Sequence, residues 1–465
     1  MASINSIYFD SGDTGFVLIS TALVWFMIPG AGYFYSGMAH RKNALSLILL
    51  CMVSVAVVTV QWFFFGYSLA FSKSGNKLIG GFRKALFLNL EKEDPYPNTN
   101  ISESTFAIYQ LMFAAITPAL AIGSTAERAR IFPTIVFIFL WTTLVYDPIA
   151  FWVWSEHGWA HDLGSLDFAG GTPVHMASGA AALAYALVLK KRMIESEEGE
   201  PKPNNVTNII LGTIMLWFGW FGFNGGSALG ANPRATNAII VTNLSASIGG
   251  ITWMLWDYRL EGKFSALGFC SGAISGLVAI TPASGYVSPP SAIAFGLVSG
   301  FLCNLATKLR NIFNYDDACD VFAVHFVGGF IGNILTAIFA QNSIVQLDGH
   351  SDPIDGGFLD HNWIQIVYQL ANSLAGGLYS FFATLMIVLI MNEIPGLSLR
   401  ASPDSETLGI DQSELGESAY YFLDELIMAN VQTGEYHQMP RGRVQTNGNI
   451  RQNDVEDGRL QQPSL

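Results

Sequence analysis

The stretch Asp167–Lys190, DFAGGTPVHMASGAAALAYALVLK, decides how the rest of the chain is read. From Thr172 to Leu189 it carries no Asp, Glu, Lys or Arg, so it can cross a bilayer as a helix whose backbone satisfies itself. One imidazole, His175, sits inside it, and Asp167 lies eight residues earlier at the mouth of the segment. A second stretch repeats the arrangement: Asp317 precedes His325 by eight residues in DACDVFAVH, and the apolar run FVGGFIGNILTAIFA follows. An imidazole inside a membrane helix is a site hypothesis by default. Two in matching positions point to one site built from two related halves.

Composition agrees with this reading. The chain has 465 residues, 51% hydrophobic and only 13% charged, with mean hydropathy +0.37. Soluble domains carry about 25% charged residues. The 46 glycines suit close helix packing and the 11 tryptophans suit membrane interfaces. Nearly half of the net charge of −13 lies in a polar tail, and it implies no basic ligand. Cys51, Cys270, Cys303 and Cys319 show neither metal spacing nor a disulfide framework. Nothing resembles a phosphate-binding loop or a basic patch for nucleic acid, and nothing calls for a cofactor.

Working outward, apolar spans fall at roughly 15–38, 44–72, 106–126, 132–154, 171–189, 207–229, 236–257, 264–282, 289–307, 321–341 and 364–392. These predict an all-α polytopic membrane protein with eleven transmembrane helices and termini on opposite sides. Residues 1–14 lack the basic start of a cleaved signal peptide. With the N-terminus outside, inner loops hold twelve Lys and Arg and outer loops six, five of those six in the one loop between spans two and three. The excess sets the N-terminus outside and the C-terminus inside. Asn100, in Asn100-Ile101-Ser102, then faces outside as a glycosylation candidate, whereas Asn205-Val206-Thr207 faces inside.

Ten spans divide into two sets of five, and an odd number per set forces the second to be inverted. The fifth and tenth then carry His175 and His325. The first and sixth echo each other through Trp25-Phe26 with Gly30 and Gly32, and Trp217-Phe218 with Gly219 and Gly222. The eleventh is left over and is expected to wrap the outside. The membrane domain is 1–395. Residues 396–465 form a cytosolic tail, with about 397–426 docked on the inner face and about 440–465 disordered.

Three chemistries suit two buried imidazoles. A metal site normally needs three or four ligands, and no further His or Cys stands at a fitting spacing. A pair of core histidines satisfied by each other is the plain structural reading. The third is permeation or proton relay, since neutral imidazole offers one donor and one acceptor in a dry lumen without adding charge. Phe113, Trp154 and Phe223, with Ser227 four residues after Phe223, supply ring faces and a hydroxyl that suit a compact cation. Each is also an ordinary packing or interfacial residue in a membrane helix.

The chain resembles the ammonium transporter superfamily, and within it the fungal permeases. The matching segments are PGAGYFYSGM (29–38), QWFFFGYSLAFS (61–72), AERARIFP (126–133), GSLDFAGGTPVH (164–175), LWFGWFGFNGGSA (216–228), CSGAISGLVAITPASGYV (270–287), DDACDVFAVHFVGG (316–329), DGGF (355–358) and LGIDQSELGESAY (408–420). The resemblance implies a plasma-membrane homotrimer with one pore per subunit, eleven spans in each and an inverted five-plus-five repeat. It makes His175 and His325 the paired pore histidines, Trp220 a pore-lining residue, and Phe113 and Phe223 a stacked gate. Trp154, Ser227 and Phe113 line an outer recruitment site that Asp167 supports. Gly409, Asp411 and Ser413 match a regulatory tail motif, in which Ser413 reads equally as a phosphate acceptor addressed by a cytosolic regulator or kinase and as an ordinary exposed serine.

Two positions depart from the family pattern: Phe326 follows His325 where Gly is frequent, and Asp147 lies inside the fourth span. Asp147 is read as a buried protonated acid, a polar contact between subunits, or a misplaced span edge. Ammonium and potassium are alike in size and charge, but only ammonium can lose its proton. A dry pore that charges cross at high cost therefore separates them. The implied function is ammonium transport with net charge movement. The alternatives are a neutral ammonia channel and a sensor on the same scaffold. An intramembrane hydrolase lacks its nucleophile and base, and a seven-helix receptor fails on span count.

Overall fold

The computed structural model describes residues 9–90, 99–193 and 202–420. These are helical, with no strand among the described residues and one isolated bridge, Ala129 to Arg400. Among the described residues ten helices are long and apolar enough to cross a bilayer: α1 Ser11–Met38, α2 Arg41–Phe71, α3 Glu103–Thr125, α4 Ile131–Leu163, α5 Gly171–Leu189, α6 Val206–Ala228, α7 Pro233–Glu261, α9 Pro289–Ile312, α10 Phe322–Phe339 and α11 Gln365–Glu393. The expected eighth span is a shorter apolar helix, α8 Ala266–Ile280. The first compact unit runs from Met1 to Ala419; the second, Tyr420–Leu465, lies almost wholly outside the described residues.

Helix starts follow from local chemistry. Asp10, Ser102, Asn205, Asn232 and Ser265 each turn a side-chain oxygen onto a backbone N–H of the first turn of α1, α3, α6, α7 and α8. The close crossings use glycine. A Cβ on Gly219 of α6 would lie 2.5 Å from the Leu23 carbonyl of α1, and one on Gly249 of α7 would lie 2.5 Å from the Gly272 carbonyl of α8. The sequence echo between α1 and α6 becomes a contact: Phe26 and Phe218 meet edge to face at 6.5 Å. Large apolar side chains such as Phe64, Ile214, Phe218, Leu255 and Phe382 remain exposed along the helices, as a bilayer solvent requires.

The cation-rich loop after α2 is explained by pairing. Lys73 meets Glu156 at 2.9 Å, Lys77 meets Asp162 at 3.0 Å, and Lys84 is buried against Glu103.

Call the end bearing Ser11 the amino-terminal face and the other the tail face. The tail crosses the latter as a strap. Arg130 N donates to Leu399 O, and Arg400 reaches the carbonyls of Leu189 at 2.6 Å and Lys191 at 2.9 Å while pairing with Glu406. Asp411 accepts from Leu45 N at 2.9 Å and Ser46 N at 2.7 Å, and Glu414 from Ile131 N at 3.0 Å. The strap therefore caps the starts of α2 and α4. Residues 421–426 and 440–465 lie outside the described residues.

Candidate functional site

Both histidines sit in π turns, where one extra residue widens the helix. His175 lies in Gly171–Met176 at the start of α5, and His325 in Phe322–Val327 at the start of α10. Each turn is held by the aspartate eight residues before its histidine. Asp167 Oδ1 accepts from Gly170 N at 2.9 Å and Gly171 N at 2.7 Å, and its Oδ2 from Thr172 N at 2.7 Å. Asp317 Oδ2 accepts from Phe322 N at 2.7 Å. The repeated spacing is thus a repeated cap.

Burial pushes the Asp167 carboxyl up to about 6 against the pull of its three N–H donors, so it stays ionised at neutral pH. Asp317 is pushed the same way, first by burial. Asp167 spends its carboxylate on the backbone; its main-chain carbonyl, not its charge, receives the Trp154 indole N–H at 3.0 Å. It supports the aromatic site by fixing the turn beneath Trp154.

From Trp154 a column of rings descends from the amino-terminal face. Phe113 meets Trp154 edge to face at 5.9 Å and leans on Phe223 with centroids 4.2 Å apart. Phe223 stacks over His175 at 6.0 Å, and His175 over His325 at 5.3 Å. Trp220 lies against His175 at 5.3 Å, its indole N–H held by Thr281 Oγ1 at 2.9 Å. The two histidine Nδ1 atoms are 3.2 Å apart. One must donate and the other accept, so the rings take complementary tautomers. His175 Nε2 is buried with no protein partner. Against His325 lies a cavity of about 20 Å³, lined also by Trp220, Tyr35, Ser271 and Cys319 among others. That volume suits about one water-sized molecule.

Phe113, Phe223, His175, His325, Trp220 and Trp154 thus form one stack. Ser227 joins it through Tyr109: the phenol donates toward Phe223 O at 2.8 Å and lies 3.3 Å from Ser227 Oγ. Asn100 lies on the amino-terminal face, exposed, with Nδ2 donating to Asp13 at 3.3 Å. Gly409, Asp411 and Ser413 lie in the strap, and Ser413 Oγ is buried without a partner. No His, Cys, Asp and Glu group fit for a metal occurs among the described residues.

Sequence reasoning passed over Tyr109, Thr281 and the polar brace behind the His175 turn. Asn333 donates to Thr172 Oγ1 and to Ser373 Oγ, each at 2.8 Å, and Asn372 donates to Thr172 Oγ1 at 3.0 Å. Gln369 exchanges two bonds of 2.7 Å with the backbone of Leu166. Thus α11 does more than wrap the outside. Gln369, Asn372, Ser373 and Gly376 share one helical face, a periodicity visible in QLANSLAGG. Phe326 fills space left by glycines: its ring lies over Gly377 of α11, its backbone against Gly179 of α5, and it stacks on Phe322 at 5.0 Å.

Comparison with known proteins gives a consistent set. A family model described as the Ammonium Transporter Family matches residues 15–420. Ammonium transporter 1 of Schizosaccharomyces pombe is 51% identical over 419 residues, 90% of this chain and 84% of its own. The crystal structure of Saccharomyces cerevisiae Mep2 superposes with a TM-score of 0.82 at 46% identity, covering 86% of this chain and 90% of that one. That of Candida albicans Mep2 gives 0.82 at 45%, covering 89% and 91%.

Proposed function

The chain belongs to the ammonium transporter family, and from that premise we propose that it recruits ammonium at Trp154, Phe113 and Ser227, strips its proton, and passes ammonia along the His175–His325 pair. The observation that carries the proposal is the imidazole pair, 3.2 Å between Nδ1 atoms, at the foot of the stacked Phe113 and Phe223. A bare cation meets apolar rings there and no counter-charge, at a cost of several kcal/mol. A neutral ammonia meets donors and acceptors in line. The proton then moves separately through the coupled tautomers of the pair, so net transport carries charge. Phe113 and Phe223 act as the gate, because rings 4.2 Å apart leave no gap between them.

In this reading all eleven apolar helices cross a plasma membrane, the amino-terminal face lies outside, the tail is cytosolic, and three copies assemble with one path each. The repeated π turn with its aspartate cap supports an inverted five-plus-five repeat. The strap across the starts of α2 and α4 supports a regulatory tail open to a cytosolic regulator or kinase.

The test is current across proteoliposomes after an ammonium pulse, with a potassium pulse as control. An ammonium-only current is expected, lost or stripped of its selectivity when His175 and His325 are both replaced by Ala. Unchanged ammonium current and potassium exclusion in that double variant overturns the role of the pair. Ammonia uptake without current overturns the charged mechanism and leaves a neutral channel.

A further inference from the structure

Asp147 is a fully buried carboxylate inside α4 that the proposed path does not use. Its Oδ2 accepts from Gln61 Nε2 of α2 at 2.7 Å, and the same amide group lies 3.1 Å from Thr143 Oγ1. Asp147 Oδ1, Gln61 Oε1 and Tyr146 OH are buried and unpartnered. Among the described residues no Lys, Arg or His pairs with Asp147. The contact lies within one subunit, between two of its own helices.

The backbone is shaped around this contact. Gln61 directly precedes the π turn Trp62–Gly66, and Asp147 directly follows the π turn Thr142–Tyr146, its own N–H reaching back five residues to Thr142 O. Pro148 has no N–H to offer the Leu144 carbonyl, which instead accepts from Tyr379 OH of α11 at 2.8 Å. Such turns mark places where a helix is adjusted to aim a side chain. An ionised carboxylate here would hold a full charge on one amide hydrogen bond, with a naked second oxygen, at a cost of several kcal/mol. A carboxylic acid holds no charge, and its hydroxyl turns Oδ1 from a bare acceptor into a donor.

We propose that Asp147 is a protonated carboxylic acid throughout transport, a neutral pin joining α2 to α4 that positions Trp154. Trp154 lies seven residues on, two turns along the same helical face, and the continuous helix ends there because Ser155 is extended. The indole is fixed from one side by the Asp167 carbonyl and from the other by the pinned helix. Asp147 is thus a positioning residue, and its effect on transport rests on the recruitment role given to Trp154 above.

Two measurements test this on the intact protein. Infrared difference spectra between wild type and Asp147→Asn should show one protonated carboxylic acid lost, unchanged across the pH range in which the protein stays folded. In proteoliposomes Asp147→Asn, which keeps the shape without the proton, should transport within about twofold of wild type with the same pH profile. Asp147→Leu strands the Gln61 amide and should raise the KM for ammonium about tenfold, and adding Gln61→Leu should recover part of that loss. A missing or titrating acid band overturns the proposal. So does an Asp147→Asn protein that melts like wild type yet has lost transport or shifted its pH profile. If the wild type moves no ammonium, the transport reading fails while the infrared result still decides the protonation state.

Discussion

Replacing Asp167 by Ala removes one side chain and strands three backbone donors, those of Gly170, Gly171 and Thr172. Asp167 is buried, so no water takes over. Each orphaned donor costs about 1–3 kcal/mol, and bonds to an ionised acceptor lie at the upper end. Summed, the three would cost about 3–9 kcal/mol, and because they share one turn the sum is an upper bound. Melting of the purified protein should fall by about 5 °C or more, and any protein that survives should lose ammonium uptake, because the turn holds His175 and the carbonyl that fixes Trp154. Asp167→Asn keeps the oxygen that serves Gly170 and Gly171 but turns an amide against Thr172 N–H, so it should fall between. The pH dependence has a fixed sign. The folded carboxyl lies at about 6 and the unfolded one near 3.9. Its contribution to stability is full below about 4 and is lost as pH rises through about 6. The wild type should therefore gain on Asp167→Asn as pH falls from about 6 to about 4. An Ala variant that melts within about 1 °C of wild type and takes up ammonium normally refutes the capping argument.

On the amino-terminal face, burial opposes the Asp348 charge, but bonds from Ser351, His350 N–H and Arg234 outweigh it and hold the carboxyl at about 2. That stability is present above about 4 and lost as pH falls toward about 2, so acid melting curves should show it, and Ser351→Ala should reduce it more than Arg234→Gln. Gly409 has φ +100°, and a Cβ there would lie 2.6 Å from Lys42 Cβ and its carbonyl oxygen. Gly409→Ala should release the strap, read as at least about tenfold faster proteolysis within residues 396–420, for a strain of about 1–3 kcal/mol before the clash is counted. Ser413→Asp should speed the same cleavage, since its buried Oγ leaves no room for charge beside Asp411 and Glu414, while Ser413→Ala should not. Expression in a glycosylating host should give a glycosidase-sensitive species that Asn100→Gln abolishes; a glycan that survives Asn100→Gln and is lost with Asn205→Gln would place the tail face outside instead.

The parts of this molecule legible in the sequence are those written in short-range chemistry. Asp167 and Asp317 stand eight residues before His175 and His325 because a cap needs a carboxylate at a fixed distance from its helix, and that distance is a sequence spacing. Apolar runs of span length gave the helices nearly to their ends. What escaped was joined only in space. Tyr109 reads as one more aromatic until its phenol meets the Phe223 carbonyl, 114 residues away. Gln369 and Asn372 read as polar interruptions in the last span until they meet Leu166 and Thr172.

Asp411 and Glu414 stand close together in sequence, yet they cap the starts of two helices far apart in the chain: Leu45 N and Ser46 N in α2, and Ile131 N in α4. Those two helices meet again inside the membrane, where Gln61 bonds Asp147 and Thr143 and rings pair Trp62 with Tyr146 and Phe65 with Phe139, and α4 runs on to Trp154. Two joints fix a pair of rods where one would leave a pivot. A strap released from the tail face frees the first joint and loads the second. The physical test of coupling is a cycle: release of the strap by Gly409→Ala should change the KM for ammonium in wild type and change it differently when Asp147→Leu has already broken the second joint. Additive effects would mean that the two joints act independently and that the strap does not reach Trp154 through Asp147.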